Sequence, residues 1–483
     1  MGSLGSFQQT KSLADVKNKK LLHYKGFIDG QWADAASGKT FDLIDPGTGE
    51  KLATFPEMGA ADVARAIDSA SKTFVTWKNT SGRERARMLR KWNDLCLENT
   101  EDFALIITLE TGKPLYEARA EVIYACSFLE WFAGEAERKQ RLVTMKQPIG
   151  VVGCLMPWNY PMAMITRKAS AAIAAGCTTI WKPAGETPLS AGAMAVLAME
   201  AGIPAGVIQI ITSLTTVAEV GKEICTNKLV KKVSFTGSTR VGRLLMEQCA
   251  PTVKKLSLEL GGNSPFIVFD DADVDVAVEA AVMAKFRNTG QTCVAANRIF
   301  VQDGIYDRFA KALSNTISTF KIGPGTQDGV FVGPLTHENN YDADLDYAEA
   351  KNNGGKIILG GNRVEGTKGY YVQPTIIADM PRGTITERDE VFGPVIPLYR
   401  FHTEEEVIEL ANNVDVGLGA FVMTSSMPRQ WRVGVVGVNI GLLSAAENPF
   451  GGVKQSGFGR EGGRQGIDEY LVLKSMFLNV ASG

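Results

Sequence analysis

Ile149-Gly-Val-Val-Gly-Cys-Leu155, Thr178-Thr-Ile-Trp181, Val207-Ile-Gln-Ile-Ile-Thr212 and Val230-Lys-Lys-Val-Ser-Phe235 are four apolar runs of strand length. Ala163 to Ala175, between the first two, reads as a helix. Ser190 to Ala201, between the second and third, reads as another, closed by Gly202 and Pro204. Strands alternating with helices in this way predict an α/β fold built on a doubly wound parallel sheet, which buries both faces of its strands. Such a sheet receives ligands outside the carboxyl ends of its strands. The residues just after Leu155 and Phe235 are therefore the first places to look for chemistry.

Outward from this core, Ala61 to Phe74 and Arg83 to Leu97 carry apolar residues at helical spacing. A second unit begins near Leu260. In it Pro265 to Phe269 is strand-like, and Asp273 to Phe286 is a helix with Asp271 or Asp273 as its N-cap. That helix runs into the loop Asn288-Thr-Gly-Gln-Thr-Cys293, and further strands and helices continue to about Val438. A Gly-rich loop, Pro449 to Gly463, precedes a last strand-like stretch, Tyr470 to Val480. A chain of 483 residues is too long for one core and implies two or three domains.

The formal net charge is -2, from 51 basic and 53 acidic residues, so no footprint for a nucleic acid stands out. The uncharged apolar run that comes closest to membrane-spanning length, Ala169 to Trp181, is too short to cross. Seven cysteines with scattered spacing suggest reduced thiols inside a cell rather than a disulfide framework. The three histidines, His23, His337 and His402, lie far apart, so no metal site is expected. A cysteine nucleophile here needs a base other than histidine. Met1-Gly2 with Ser6 fits a loose myristoylation pattern, but a plain polar tail is the preferred reading. The segment to Lys20 has neither arginine nor an apolar core, unlike a transit or signal peptide.

Three residues and one turn carry candidate chemistry. Cys293 follows a helix in Gly290-Gln-Thr-Cys293, where a glycine allows close approach of a substrate. A lone cysteine is more often an inert core residue. Glu259, in Leu258-Glu-Leu-Gly-Gly-Asn263, is one carboxylate at the end of an apolar run; it is either a solvated strand end or a base with a raised pKa. Asn159, in Pro157-Trp-Asn-Tyr-Pro161, either donates to a developing oxyanion or caps the helix that follows. Phe235-Thr-Gly-Ser-Thr-Arg-Val-Gly242 is a strand-to-helix turn whose free N–H groups suit a pyrophosphate, although it is not G-x-G-x-x-G.

Taken in order, Pro157-Trp-Asn159, Lys182-Pro-Ala184, Phe235-Thr-Gly-Ser238, Glu259-Leu-Gly-Gly262, Gly290-Gln-Thr-Cys293, Glu390-Val-Phe-Gly-Pro394 and Pro449-Phe-Gly-Gly452 resemble the aldehyde dehydrogenase superfamily, from about Tyr24 to Val480. The resemblance implies covalent catalysis, with Cys293 as nucleophile, Asn159 in the oxyanion hole and Glu259 activating water. It also implies NADP or NAD as cofactor, bound by Trp158, Lys182, Gly185, Gly237, Ser238, Gly242, Glu390 and Phe392. Residues 1–130 and 150–260 then form the nucleotide domain and 261–452 the catalytic domain. Residues 131–149 with 467–483 form a small oligomerisation element, for a homodimer or homotetramer. The implied location is cytoplasmic, with a mitochondrial one left open.

Within the superfamily, Lys146-Gln-Pro-Ile-Gly-Val-Val-Gly153, Met164-Ile-Thr-Arg-Lys168, Lys285-Phe-Arg-Asn-Thr-Gly-Gln-Thr-Cys293 and Phe450-Gly-Gly-Val-Lys-Gln-Ser-Gly457 are most similar to succinate semialdehyde dehydrogenases. That likeness implies Arg167, Arg287 and Ser444 around the substrate's far carboxylate, a chemistry suited to guanidinium groups. The alternatives are an uncharged aldehyde substrate and a non-catalytic nucleotide-binding member. The chain departs from the pattern in several places. Gly185 stands where NAD-preferring relatives carry glutamate, Ala295 where some carry a second cysteine, and Ile123 where arginine is frequent. Stretches between Glu137 and Lys146 and between Trp431 and Val438 are short.

Overall fold

The structure, a computed structural model, describes residues 10–137, 144–337, 352, 354–426 and 435–475. The first sheet has eight strands, in the order Gln31–Ala33, Gly26–Ile28, Ile208–Ile210, Thr178–Lys182, Val151–Leu155, Val230–Thr236, Lys255–Glu259 and Gly457–Phe458. Its five central strands are parallel, and an antiparallel neighbour closes each side. Val151–Leu155 and Thr178–Lys182 are buried along their whole length, as the apolar runs predict. The chain moves from Val151–Leu155 to one side, then crosses back to Val230–Thr236 on the other. The order therefore reverses between these two neighbours, and the loops leaving Leu155 and Thr236 flank a crevice suited to a ligand.

Details differ from the sequence reading. Ile149 and Gly150 lie outside the strand, which begins at Val151. The helix expected over 163–175 starts at Pro161 and is not uniform: Thr166–Ser170 forms a π turn between two α segments. The π turn carries Arg167 and Lys168, both buried and both ion-paired, and such widened turns often serve functional groups. In the Gly-rich loop, Gly457–Phe458 forms a short edge strand on the first sheet.

The second sheet has seven strands, in the order Lys356–Leu359, Thr375–Ala378, Val395–Phe401, Ala296–Gln302, Ser264–Val268, Gly419–Met423 and Val435–Val438. All neighbours in it are parallel except the first pair. The helix Val274–Phe286 is capped by Asp273, whereas Asp271 instead accepts from Thr424 and Ser425. Outside both sheets, Thr144–Pro148 pairs antiparallel with Leu471–Ser475. The short stretches near 138–143 and 427–434 lie outside the described residues, as do residues 1–9 with the candidate acylation site.

The two sheets meet at their functional ends. Glu259 is the last residue of its strand, and Cys293 lies between the tight turn Arg287–Gly290 and the strand Ala296–Gln302. Gly262 makes the approach possible, because a Cβ there would lie 2.5 Å from the carbonyl oxygen of Cys293. Gly290 turns the chain at φ +80, a conformation that suits glycine, against the backbone of Gly393.

Candidate active site

Cys293 Sγ donates to Glu259 Oε1 at 3.3 Å. The other oxygen, Oε2, accepts from Arg167 Nη2 at 3.0 Å and from the Thr236 hydroxyl at 3.3 Å. Arg167 Nε lies 3.0 Å from Glu461 Oε2, and Lys168 pairs with the second oxygen of Glu461. Lys168 Nζ also donates to Thr236 Oγ1 at 2.5 Å, so ammonium, hydroxyl and Glu259 carboxyl form one chain. All of these groups except Cys293 are fully buried, and the solvated strand-end reading of Glu259 is excluded, with 4% of it exposed.

Burial raises the Cys293 thiol well above its ordinary value; the Glu259 carboxylate adds to this and Arg167 opposes it. Burial likewise raises Glu259, again opposed by Arg167. In Glu461 the effect of burial is outweighed by Lys168 and Arg167, which hold it well below the carboxylate range. Burial thus favours the neutral thiol, and the hydrogen bond places it against a carboxyl positioned to accept its proton. Lys168, Thr236 and Glu461 were not singled out from the sequence. Glu461 is 202 positions from Glu259, and no local pattern joins them.

Asn159 follows the central strand, as expected. Its Nδ2 donates to the Gln291 carbonyl at 3.0 Å, while its Oδ1 is buried without a hydrogen-bond partner among the described residues. It does not cap the following helix: Tyr160 holds the N-cap position with no side-chain bond, and Glu121 accepts the N–H groups of Met162 and Ala163 instead.

Beside Cys293 lies a cavity of about 180 Å³, walled by Tyr124, Tyr160, Met164, Arg287, Ser444 and Phe450 among others. Arg287 lines it and makes no hydrogen bond or ion pair with the described residues, although its Nε is buried and its charge acts on the nearby Glu117 carboxyl. A buried donor without a partner calls for an acceptor. Arg167 also lines the cavity, but its charge is engaged by Glu259 and Glu461, and it stacks 4.4 Å above the Phe450 ring. Ser444 and Tyr124 hydrogen-bond each other through their hydroxyls.

At the crevice between the central strands, Ser238 caps the helix Thr239–Cys249, accepting from Val241 N at 3.4 Å. A Cβ on Gly242 would meet Leu260 at 2.5 Å, so glycine sets the packing of this helix. Lys182 ends its strand as a buried cation that donates to the Ser213 carbonyl at 3.3 Å; burial lowers its pKa to about 8. Gly185 packs on Leu214, where a Cβ would come within 2.6 Å of the side chain. Trp158 meets Phe392 and His337 edge-on, and His337 lies 3.4 Å from Glu186. Glu390 accepts from Gly262 N at 3.3 Å and is raised by burial to about 8. A capped helix N-terminus, a buried cation and a half-buried carboxyl fit a dinucleotide. Gly237 belongs to the same turn.

A sequence model of the aldehyde dehydrogenase family matches residues 32–476. The chain belongs to that family. This aldehyde dehydrogenase is 47% identical to the glutarate-semialdehyde dehydrogenase of Pseudomonas putida, over 96% of this chain and 100% of the relative. It is also 47% identical to an NADP-dependent succinate-semialdehyde dehydrogenase of Escherichia coli, with the same coverage. A crystal structure of an E. coli NADP-dependent enzyme superposes with a TM-score of 0.93 at 46% identity, covering 96% of this chain and 99% of that one. The doubly wound sheet read from the sequence is the architecture of this aldehyde dehydrogenase. No helix among the described residues is long and apolar enough to cross a membrane.

Proposed function

We propose that this aldehyde dehydrogenase oxidises succinic semialdehyde to succinate, with NADP or NAD as oxidant. The observation that carries the substrate is Arg287, in the wall of the cavity that holds Cys293, whose guanidinium makes no hydrogen bond or ion pair among the described residues. An aldehyde with a carboxylate at its far end gives that cation a partner, and the Ser444 hydroxyl supplies a second donor. Arg167 contributes charge to the same wall while remaining bonded to Glu259. Glutaric semialdehyde has the same pair of end groups, and the P. putida relative is named for it.

The Cys293 sulfur adds to the aldehyde carbon after its proton passes to Glu259, 3.3 Å away. The side-chain amide of Asn159 and the backbone N–H of Cys293 stabilise the oxyanion that results. When bound, NADP or NAD would supply the hydride acceptor that lets the adduct become a thioester. Glu259 passes the proton received from Cys293 to solvent and, ionised again, takes a proton from a water molecule, whose oxygen attacks the thioester carbon. The acid leaves, and the Cys293 sulfur regains a proton. Lys182 would hold the adenosine ribose, Ser238 the pyrophosphate with Gly237 and Gly242 shaping the turn, and Glu390 the nicotinamide ribose. Trp158, Phe392 and Gly185 would complete the walls.

The reading extends to the assembly. Residues 1–130 and 150–260 serve the cofactor, 261–452 the chemistry, and 131–149 with 467–483 the contact between subunits. Exposed Val472 and Leu473 on Leu471–Ser475, and exposed Val436 and Val438 on Val435–Val438, lie on edge strands open to pairing. They support a homodimer or homotetramer.

Replacing Arg287 by leucine tests the substrate. The expected result is a KM for succinic semialdehyde raised about 10- to 100-fold, the range for a lost charged hydrogen bond, with KM for butanal unchanged. An unchanged KM for succinic semialdehyde removes Arg287 from the substrate site.

A further inference from the structure

The helix Leu115–Glu137 presents Glu117, Glu121, Tyr124 and Phe128 along one stripe, and each touches a different part of the active site. Glu117 accepts Asn288 N at 2.6 Å, Glu121 serves the Asn159 segment, Tyr124 bonds Ser444, and Phe128 lies 6.0 Å from the Arg167 guanidinium. The densest of these contacts is at Glu121. Its Oε2 pairs with Lys113 Nζ at 2.5 Å, with 1% of the lysine side chain and none of the glutamate's exposed. Its Oε1 accepts Met162 N at 3.1 Å and Ala163 N at 3.3 Å.

Lys113 completes the grip from the other side. Its ammonium donates to the Asn159 carbonyl at 2.8 Å and lies 4.1 Å from the Tyr160 ring centroid. An ammonium has three donors, and here they find a carboxylate, a carbonyl and an aromatic face. Asn288 Nδ2 adds a second bond to the Asn159 carbonyl, at 2.9 Å. A buried pair that only stabilised its own turn would have no need to reach residues 159–163. This one engages them at the carbonyl of Asn159, the ring of Tyr160 and the N–H groups of Met162 and Ala163.

We infer that Lys113 and Glu121 are positioning residues for the oxyanion hole, fixing the backbone from which the Asn159 amide is aimed. The inference rests on the reading of Asn159 as the oxyanion donor. Lys113 touches neither substrate nor cofactor in this scheme and acts through the segment from Asn159 to Ala163 that it holds. Its removal lowers kcat and leaves cofactor affinity and the KM for aldehyde nearly unchanged.

The test is a double-mutant cycle on the full-length enzyme, comparing the native protein with Lys113→Met, Asn159→Ala and the combination. Steady-state kcat and KM are measured with succinic semialdehyde, and cofactor affinity by fluorescence. Asn159→Ala is expected to lose about 10²- to 10³-fold in kcat. Lys113→Met is expected to lose about 10- to 100-fold, the effect of a small misplacement. In the Asn159→Ala background the lysine change is expected to cost less than about twofold, because the group it aims is gone. Equal losses in both backgrounds, or no loss in the native one, overturn the inference and leave Asn159 in its role. An Asn159→Ala enzyme with full kcat overturns both. If Lys113→Met does not fold, Glu121→Gln, which keeps an acceptor for the two N–H groups, enters the same cycle with the same criteria.

Discussion

Cys293 and Glu259 share one hydrogen bond, 3.3 Å from thiol to carboxyl, and the opposite oxygen of that carboxyl is held 3.0 Å from Arg167. The proposed nucleophile and base thus belong to one buried array, with two cations, Arg167 and Lys168, on the side of the base. A histidine is not needed, because the proton has a carboxyl to go to.

The first consequence concerns Glu259→Gln. The thioester should still form, more slowly, but its hydrolysis loses the general base. Rapid mixing should show about one equivalent of reduced cofactor per active site, followed by turnover lowered about 10²- to 10⁴-fold. A steady-state rate within about threefold of the native enzyme would remove Glu259 from the hydrolytic step.

Arg167 sets the pH at which this array works. The thiol and Glu259 are both acids raised above their ordinary values, so both stay protonated further into the alkaline range. The reactive forms are the deprotonated ones, so kcat/KM should rise with pH. Arg167 opposes both shifts. Arg167→Met should therefore move the rising limb of kcat/KM for butanal, an uncharged substrate, to higher pH. A limb that stays in place or moves lower contradicts this electrostatic account.

Lys182 gives a pH signature to cofactor binding. Burial brings its pKa down to about 8, so it is charged below that pH and neutral above. A bound 2′-phosphate stabilises the charged form, so NADP affinity should be flat at lower pH and fall as pH rises through about 8. Calorimetric titration of NADP and NAD across that range checks this. A decline that persists in Lys182→Met assigns the effect to another group.

Much of this was legible in the chain. The apolar runs from Ile149 to Phe235 specify buried parallel strands, and the loops after them carry Asn159 and Ser238 where a doubly wound sheet places ligand groups. A cap at Asp271 or Asp273 was readable from the place of these residues before a helical run, and the fold selects Asp273. The partners of those residues were not readable. Glu461 meets Arg167 and Lys168 across 294 and 293 positions of sequence, and only the fold brings them together. The π turn at Thr166–Ser170 has no periodic signature, since one widened turn barely disturbs the spacing of apolar residues. Arg167 and Arg287 looked equivalent in sequence. The structure separates them, one guanidinium bonded to two carboxyls and the other, in the cavity wall, without a hydrogen bond or ion pair among the described residues. Gly185 read only as a missing carboxylate, whereas its contact with Leu214 leaves no space for a side chain.

The central claim is that Cys293 is the nucleophile in the oxidation, by NADP or NAD, of an aldehyde whose far end is anionic. The most direct measurement is steady-state reduction of NADP and NAD by the purified enzyme with succinic semialdehyde, glutaric semialdehyde, butanal and benzaldehyde, with Cys293→Ala as control. The account predicts the highest kcat/KM for succinic semialdehyde, at least about tenfold above the uncharged aldehydes, and no turnover by the control. Equal or better use of butanal or benzaldehyde, or turnover that survives Cys293→Ala, would contradict it.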